Sequence, residues 1–272
     1  MSKIIASFFL LIVFTSCEKS VNSGGIPIWS KYPIQLNREW EYNTTFKLEF
    51  YDSTGRIDST EVIDLGNTIC EITSLNDTMG NLINLVQFQE YDVLTPQNVH
   101  KMWYLNADSG LFAIAYSNPG SSQVILPKAN IKNFDDIKYI INLIGLNPAS
   151  HYNTNFTNQI NDTSFYLYPR KVLQYPLRIG ERWVELIEPF YRERFIKDKA
   201  QITINGNIYN CFKIESDWDW NIVFTDYINF TNGLIMRELL IDSVAIIGSE
   251  DPNPLGYYRF SSVSKLVRET KP

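Results

Sequence analysis

Apolar and polar residues alternate along much of this chain. Phe46-Lys-Leu-Glu-Phe50 alternates, as do Ile34/Leu36 and Ile202-Thr-Ile204. A period of two turns one face of an extended strand inward and the other outward. Turn chemistry interrupts these runs at Asp52-Ser-Thr-Gly-Arg-Ile-Asp58, at Asp108-Ser-Gly110, at Asn205-Gly206 and at Thr231-Asn-Gly233. Asn-Gly between two alternating runs is a hairpin signal, and Asp, Ser and Gly clusters serve other tight turns. Short strands separated by such turns predict a mainly β protein of antiparallel curved sheets, whether half-barrel, barrel or sandwich. One stretch breaks the pattern. After Asn133, apolar residues fall at Phe134, Ile137, Ile140, Ile141 and Ile144, with Gly145 and Pro148 beyond. That spacing predicts one short helix, N-capped by Asn133.

The amino terminus follows a different rule. Lys3 precedes the run Ile4 to Phe14, apolar except for Ser7. A membrane-spanning helix needs about 20 such residues, so residues 1–16 read as a secretory signal. The run ends in Phe14-Thr15-Ser16-Cys17. Small residues before a cysteine at this place resemble the lipobox of bacterial lipoproteins. The resemblance implies cleavage before Cys17 and a diacylglyceryl group on its sulfur, with acylation (palmitate) of the new amine. Several acyl chains on one residue suffice for stable membrane anchoring. Residues 17–30 are polar, with Gly24-Gly25 and Pro27, and read as a flexible tether. Glu18 after the cysteine, rather than Asp, implies sorting to the outer membrane of a Gram-negative-type cell envelope.

Three landmarks recur in order along the chain. Tyr32-Pro-Ile-Gln-Leu-Asn-Arg-Glu-Trp40 aligns without gaps on Tyr175-Pro-Leu-Arg-Ile-Gly-Glu-Arg-Trp183. Gly66-Asn-Thr-Ile-Cys70-Glu-Ile72 resembles Gly206-Asn-Ile-Tyr-Asn-Cys211-Phe-Lys-Ile214, and Tyr104 to Leu111 matches Tyr227 to Leu234. An internal duplication is the expectation: a first β unit at 31–126, a helix-containing insertion at 127–173 and a second β unit at 174–272, the two units forming one compact body. A Pro-Leu-x-x-Gly-x-x-Trp lead-in occurring twice, then a cysteine-bearing strand, then Tyr…Gly-Leu, resembles a group of uncharacterised bacterial envelope lipoproteins. The first copy departs from that motif, with Asn37 in place of the glycine. The resemblance implies an exported β-rich domain and brings no catalytic residues with it.

Composition narrows the chemistry. The 272 residues carry a formal net charge of −6, so no global basic field invites nucleic acid. Aromatic residues make up 14%, against two His and three Cys. His100 and His151 stand apart, and a metal site centred on either lacks the three or four ligands that zinc requires. No cofactor is implied. With Cys17 lipidated, Cys70 and Cys211 form an even pair in an oxidising compartment, so a disulfide and two buried thiols are both open. Ser216-Asp-Trp-Asp-Trp-Asn221 places Trp218 and Trp220 on one side of a strand and Asp217 and Asp219 on the other. Such a pair of Trp rings either packs in a core or stacks on sugars. Tyr191-Arg-Glu-Arg-Phe-Ile-Lys-Asp-Lys199 mixes charges of both signs and reads as the solvated side of a strand. The expected function is that of a lipid-anchored, non-enzymatic binding or scaffold module of the envelope. The alternatives are a carbohydrate-binding surface lipoprotein and a carrier of a lipid or lipoprotein in a sheet-plus-helix cavity. The expected partners are the membrane, through the lipid anchor, and a glycan or an apolar ligand.

Overall fold

The computed structural model describes residues 31–97, 99–118, 162–187, 191–218, 222–247 and 254–272. These form twelve strands: β1 (Glu39–Asp52), β2 (Ile57–Met79), β3 (Leu82–Asp92), β4 (His100–Ala107), β5 (Gly110–Asn118), β6 (Asp162–Gln174), β7 (Arg182–Leu186), β8 (Arg192–Ile204), β9 (Asn207–Trp218), β10 (Ile222–Asn229), β11 (Gly233–Ile247) and β12 (Pro254–Thr270). The sheet order is β6-β5-β4-β3-β2-β1-β12-β11-β10-β9-β8-β7. Every neighbour in chain order therefore pairs antiparallel except β6 and β7, while β12 returns to β1 over Glu39↔Thr270 to Asp52↔Gly256. The result is a nearly closed up-and-down barrel with a single seam. Among the described residues there is no helix; the helix expected from Phe134 to Ile144 lies outside them.

At the seam, side chains do what backbone ladders do elsewhere. Trp183 Nε1 donates to the Lys171 carbonyl at 2.8 Å, and Arg194 Nη1 donates to the Val172 carbonyl at 3.1 Å. Pro169 in β6 has no N–H to offer, as suits an edge strand. β6 covers the carboxyl end of 127–173, the stretch read from sequence as an insertion, and runs one residue beyond it. Its pairing with β5 from Gly110↔Gln174 to Asn118↔Asp162 makes the carboxyl end of that stretch part of the barrel.

Inward residues of β1 show how the alternation works: Trp40, Tyr42, Thr44, Phe46 and Leu48 are all buried. One apolar cluster gathers Trp40, Ile72, Phe88, Trp183, Ile196, Ile214 and Ile235 toward the end where β1 begins. A second gathers Phe46, Leu48, Phe224, Leu239 and Phe260 further along. The outward faces carry charge along their length, in pairs such as Lys47–Glu49, Lys197–Glu215 and Arg259–Asp242. A barrel that faces lipid with its strands needs an apolar outer band instead.

The two lead-in segments adopt the same backbone arrangement. Asn37 (φ 60°) and Gly180 (φ 86°) occupy the matched turn position, and asparagine is the residue that best replaces glycine in that left-handed region. Asn37 N–H donates to the Ile72 carbonyl at 2.8 Å, and Gly180 N–H to the Ile196 carbonyl at 2.8 Å. Ile72 N–H returns to the Arg38 carbonyl and Ile196 N–H to the Glu181 carbonyl, both at 3.0 Å. The matched isoleucine of the second segment is thus Ile196 on β8, not Ile214 on β9 as the sequence alignment of the cysteine strands has it. The segments also touch each other: Tyr32 N–H donates to Tyr175 Oη at 2.9 Å. Trp40 Nε1 donates to the Asn232 carbonyl at 2.6 Å, and Leu234 N–H to Tyr32 Oη at 3.2 Å. Between them, Gly233 (φ 84°) leaves no room for a side chain, since a Cβ there lies 2.8 Å from Tyr32 Oη. Together these rings plug one end of the barrel.

Candidate functional site

A belt of charged side chains crosses the barrel interior between the two apolar clusters. Its placement follows from strand alternation: Arg192, Arg194 and Ile196 share the inner face of β8 and are 0%, 2% and 0% exposed. On β7 the register shifts between Val184 and Leu186, and Glu185 is buried. Arg170 Nε donates to Glu185 Oε1 at 2.8 Å, Arg192 Nε pairs with Oε2 at 2.8 Å, and Arg194 Nε lies 3.8 Å from Oε2. Asp226 on β10 takes the next share, receiving Arg194 Nη2 at 2.6 Å and Arg237 Nε at 2.7 Å. The Phe224 ring packs beneath three of these cations, with the guanidinium carbons of Arg192, Arg194 and Arg237 at 5.9, 5.2 and 4.7 Å from its centre. The belt thus ties β6, β7, β8, β10 and β11 together, across the seam as well as along the sheet.

The electrostatics follow from burial and pairing. Burial works to raise the Glu185 carboxyl, but Arg192, Arg170 and Arg194 overcome it and hold it at about 2. Asp226 is likewise held at about 2, by Arg237 and Arg194 against the cost of burial. Arg192 is lowered to about 9, by burial first and then by its cationic neighbours, against the pull of Glu185. Glu90 differs. It stands on β3 in register with Cys70 on β2 and His100 on β4, and burial pushes its carboxyl up to about 8 despite Arg237.

Glu90 supports a signed prediction. Its ordinary value is 4.5 and its folded value about 8, so the folded state keeps a proton that the unfolded state releases. The stability this contributes is complete below pH 4.5 and is lost as pH rises through 8. Glu90→Gln is therefore expected to match the wild type near pH 5 and to exceed it by roughly 2–4 kcal/mol at pH 9, as measured by urea unfolding at both pH values.

Chemically, the belt is a clamp. A carboxylate held at about 2 among three guanidiniums is a poor base at neutral pH. Cys70 and Cys211 are free thiols on β2 and β9, which are not neighbours in the sheet. Burial pushes both thiols up, Cys211 to about 12, so neither is primed as a nucleophile. Where β6 and β7 part, a pocket of about 90 Å³ opens at the seam, lined by Tyr166, Tyr168, Pro169, Val184, Glu185, Leu186 and Ile187.

The residues singled out in the sequence are not brought together here. Cys17, Trp220, Asp219 and His151 lie outside the described residues. Trp218 is the last residue of β9, with its backbone in register with Arg192. His100 meets Tyr116 edge-on, ring centres 6.4 Å apart. The Asp52 carboxylate accepts from Thr54 N–H, Thr54 Oγ1 and Arg56 N–H, which makes its segment a hairpin turn. The 191–199 segment corrects its sequence reading: Arg192 and Arg194 face the interior, and Glu193 and Lys197 face outward. Sequence missed Arg170, Glu185, Arg192, Arg194, Asp226 and Arg237 because an Arg-x-Arg alternation fits either face. The choice of face is made by Glu185 and Asp226, which lie on other strands. Among the described residues, no group of three or more His, Cys, Asp or Glu side chains is placed to hold a metal ion.

No family model matches the chain. No curated protein sequence matches it either. Two solved structures are similar. One is a protein of Bacteroides fragilis described as exported and as having a YmcC-like fold, at 10% identity and a TM-score of 0.36, covering 89% of this chain and 99% of that one. The other is a protein of Parabacteroides distasonis described as a lipoprotein, at 11% identity and a TM-score of 0.29, again covering 89% of this chain and 99% of that one.

Proposed function

We propose that this chain is a lipid-anchored protein of the cell envelope, held at the outer membrane through Cys17, with a rigid, non-enzymatic barrel of two related β units that serves as a binding or scaffold body. The observation that carries the non-enzymatic part is the belt itself. Its acids and bases are committed to one another inside the barrel, and burial pushes the Cys70 and Cys211 thiols up. The anchor rests on the Phe14-Thr15-Ser16-Cys17 resemblance. Lys31 pairs with Asp108 at 2.7 Å beside the plugged end. A scaffold is preferred to a lipid carrier because the inner faces of the described strands fill the barrel with side chains from both halves.

The test is metabolic labelling with palmitate, followed by detergent phase separation. The wild-type chain is expected to take up label and enter the detergent phase, whereas Cys17→Ser takes up none and stays in the aqueous phase or in the unprocessed precursor. Equal partitioning of the two would refute the anchor.

A further inference from the structure

The β8–β9 hairpin bends back over the outside of the barrel. Asn43 stands between the inward Tyr42 and Thr44 on β1, so it faces outward. Asn67 on β2, Lys265 on β12, Met236 on β11 and Tyr227 on β10 follow it in register, as one row across the outer wall. In the sheet β9, β10 and β11 separate β8 from β12. Yet Ile204 and Asn205, at the tip of the hairpin, share a cavity with Asn43, Asn67, Lys265 and Val267. The hairpin therefore roofs this part of the wall, and Tyr227 and Met236 are buried beneath it although they face away from the interior. The cavity under the tip has a volume of about 370 Å³, within the range of small-molecule sites.

Its polar lining is fixed from behind. Asn43 Nδ2 donates to Asp64 Oδ1 and to Asn67 Oδ1, both at 3.0 Å, and Asn67 Nδ2 donates to Glu41 Oε1 at 2.7 Å. A carboxylate only accepts, so these bonds set the orientation of both amides and leave Asn43 Oδ1 as an acceptor that no described residue uses. Both carboxylates are engaged further: Glu41 accepts from Arg268 Nε at 2.9 Å, and Asp64 accepts from Gly66 N–H at 2.9 Å. Among the described residues that line the cavity, Lys265 alone is charged, and it forms no ion pair with a described residue. Ile204 and Val267 add aliphatic surface.

These groups define a ligand. An ammonium without a counter-charge calls for an anionic oxygen, and a carboxylate makes the stronger, charge-assisted bond. An amide oxygen calls for a hydroxyl donor, and the aliphatic surface for C–H groups. With Glu41 and Asp64 already engaged, a cationic ligand has less to gain than an anionic one. We propose that the space under the β8–β9 hairpin binds a small hydroxylated carboxylate of sugar-acid size, with its carboxylate on Lys265, a hydroxyl on Asn43 Oδ1 and its carbon skeleton against Ile204 and Val267. This deepens the binding side of the proposed function. Because the site lies on the outer wall, its failure leaves the lipid anchor standing, which palmitate labelling reads separately.

The test is equilibrium dialysis of the purified mature chain, in non-ionic detergent at pH 7 and constant ionic strength, against radiolabelled glucuronate. Binding is expected to saturate at one site per chain, to be competed by unlabelled glucuronate and to resist the same excess of glucose, which lacks the carboxylate. Lys265 is exposed, so Lys265→Met keeps the fold, checked by an unchanged Tm, and should weaken glucuronate binding by about tenfold or more. Lys265→Arg keeps the charge and should retain most of the binding. The proposal is overturned if glucuronate does not bind saturably, if glucose competes as well as glucuronate, or if Lys265→Met binds as tightly as the wild type.

Discussion

Glu185→Ala is expected to be among the most damaging single substitutions in the barrel, lowering stability by about 3–5 kcal/mol and Tm by roughly 10 °C. The carboxylate is fully buried, accepts from Arg170 Nε at 2.8 Å and is ion-paired with Arg192 Nε at 2.8 Å, with Arg194 next in line. Removing it leaves these guanidiniums with less counter-charge in a place that water reaches poorly. Lost packing alone predicts a smaller effect, so a second variant separates the causes. Glu185→Leu combined with Arg192→Met removes a charge of each sign at similar volume and is expected to recover much of the loss. The pH dependence carries the same signature. Glu185 falls from 4.5 to about 2 on folding, so the stability it contributes is present above pH 4.5 and is lost as pH drops toward 2. Asp226, depressed by its own arginines, adds to the slope in that window. Acid titration followed by circular dichroism should therefore show a shallower decline for the Leu/Met pair than for the wild type.

The second large effect is expected at Trp40. Trp40→Ala should cost about 3–5 kcal/mol, the usual range for deleting a fully buried aromatic side chain. The indole is 0% exposed, stacks on Phe88 with ring centres 6.2 Å apart, lies near the Arg38 guanidinium and caps the Asn232 carbonyl. Trp40→Phe keeps most of the apolar contact and loses the hydrogen bond, so about 1–2 kcal/mol is expected there. Chemical denaturation of the two variants distinguishes a plug that works by volume from one that works through its N–H. If Phe costs as much as Ala, the bond to the turn matters more than the packing.

Much of the architecture is legible in the residues, and the reasons are local. Phe46-Lys-Leu48 specifies a strand and its inner face, because alternation and burial agree there; further along, Glu49 is buried beneath Lys47 and Phe50 is half-buried. Asn205-Gly206 specifies the β8–β9 hairpin, because both residues accept positive φ, here 51° and 79°. The Tyr32–Trp40 and Tyr175–Trp183 echo points to two segments with the same bonds, even though one carries Asn37 and the other Gly180. Legibility ends where partners come from distant strands. Arg192 and Arg194 look like surface charge until β7 and β10 bring Glu185 and Asp226 to them. The pairing of Cys70 with Cys211 rests on similar strings, but β2 and β9 hold different places in the order of strands, and the lead-in bonds choose Ile196 over Ile214. β6 was hidden for another reason: it follows an Asn/Thr-rich stretch and contains Pro169, both of which argue locally against a strand, and its pairing with β5 overrides them.

The claim on which the functional account turns is that this barrel is tied to a membrane by its first mature residue. The most direct measurement is mass spectrometry of the amino-terminal peptide released from protein extracted out of cell membranes. The expected peptide begins at Cys17 and carries a diacylglyceryl thioether on its sulfur and an acylated amine. A mature peptide that begins elsewhere, or one in which Cys17 keeps an unmodified thiol, would contradict it.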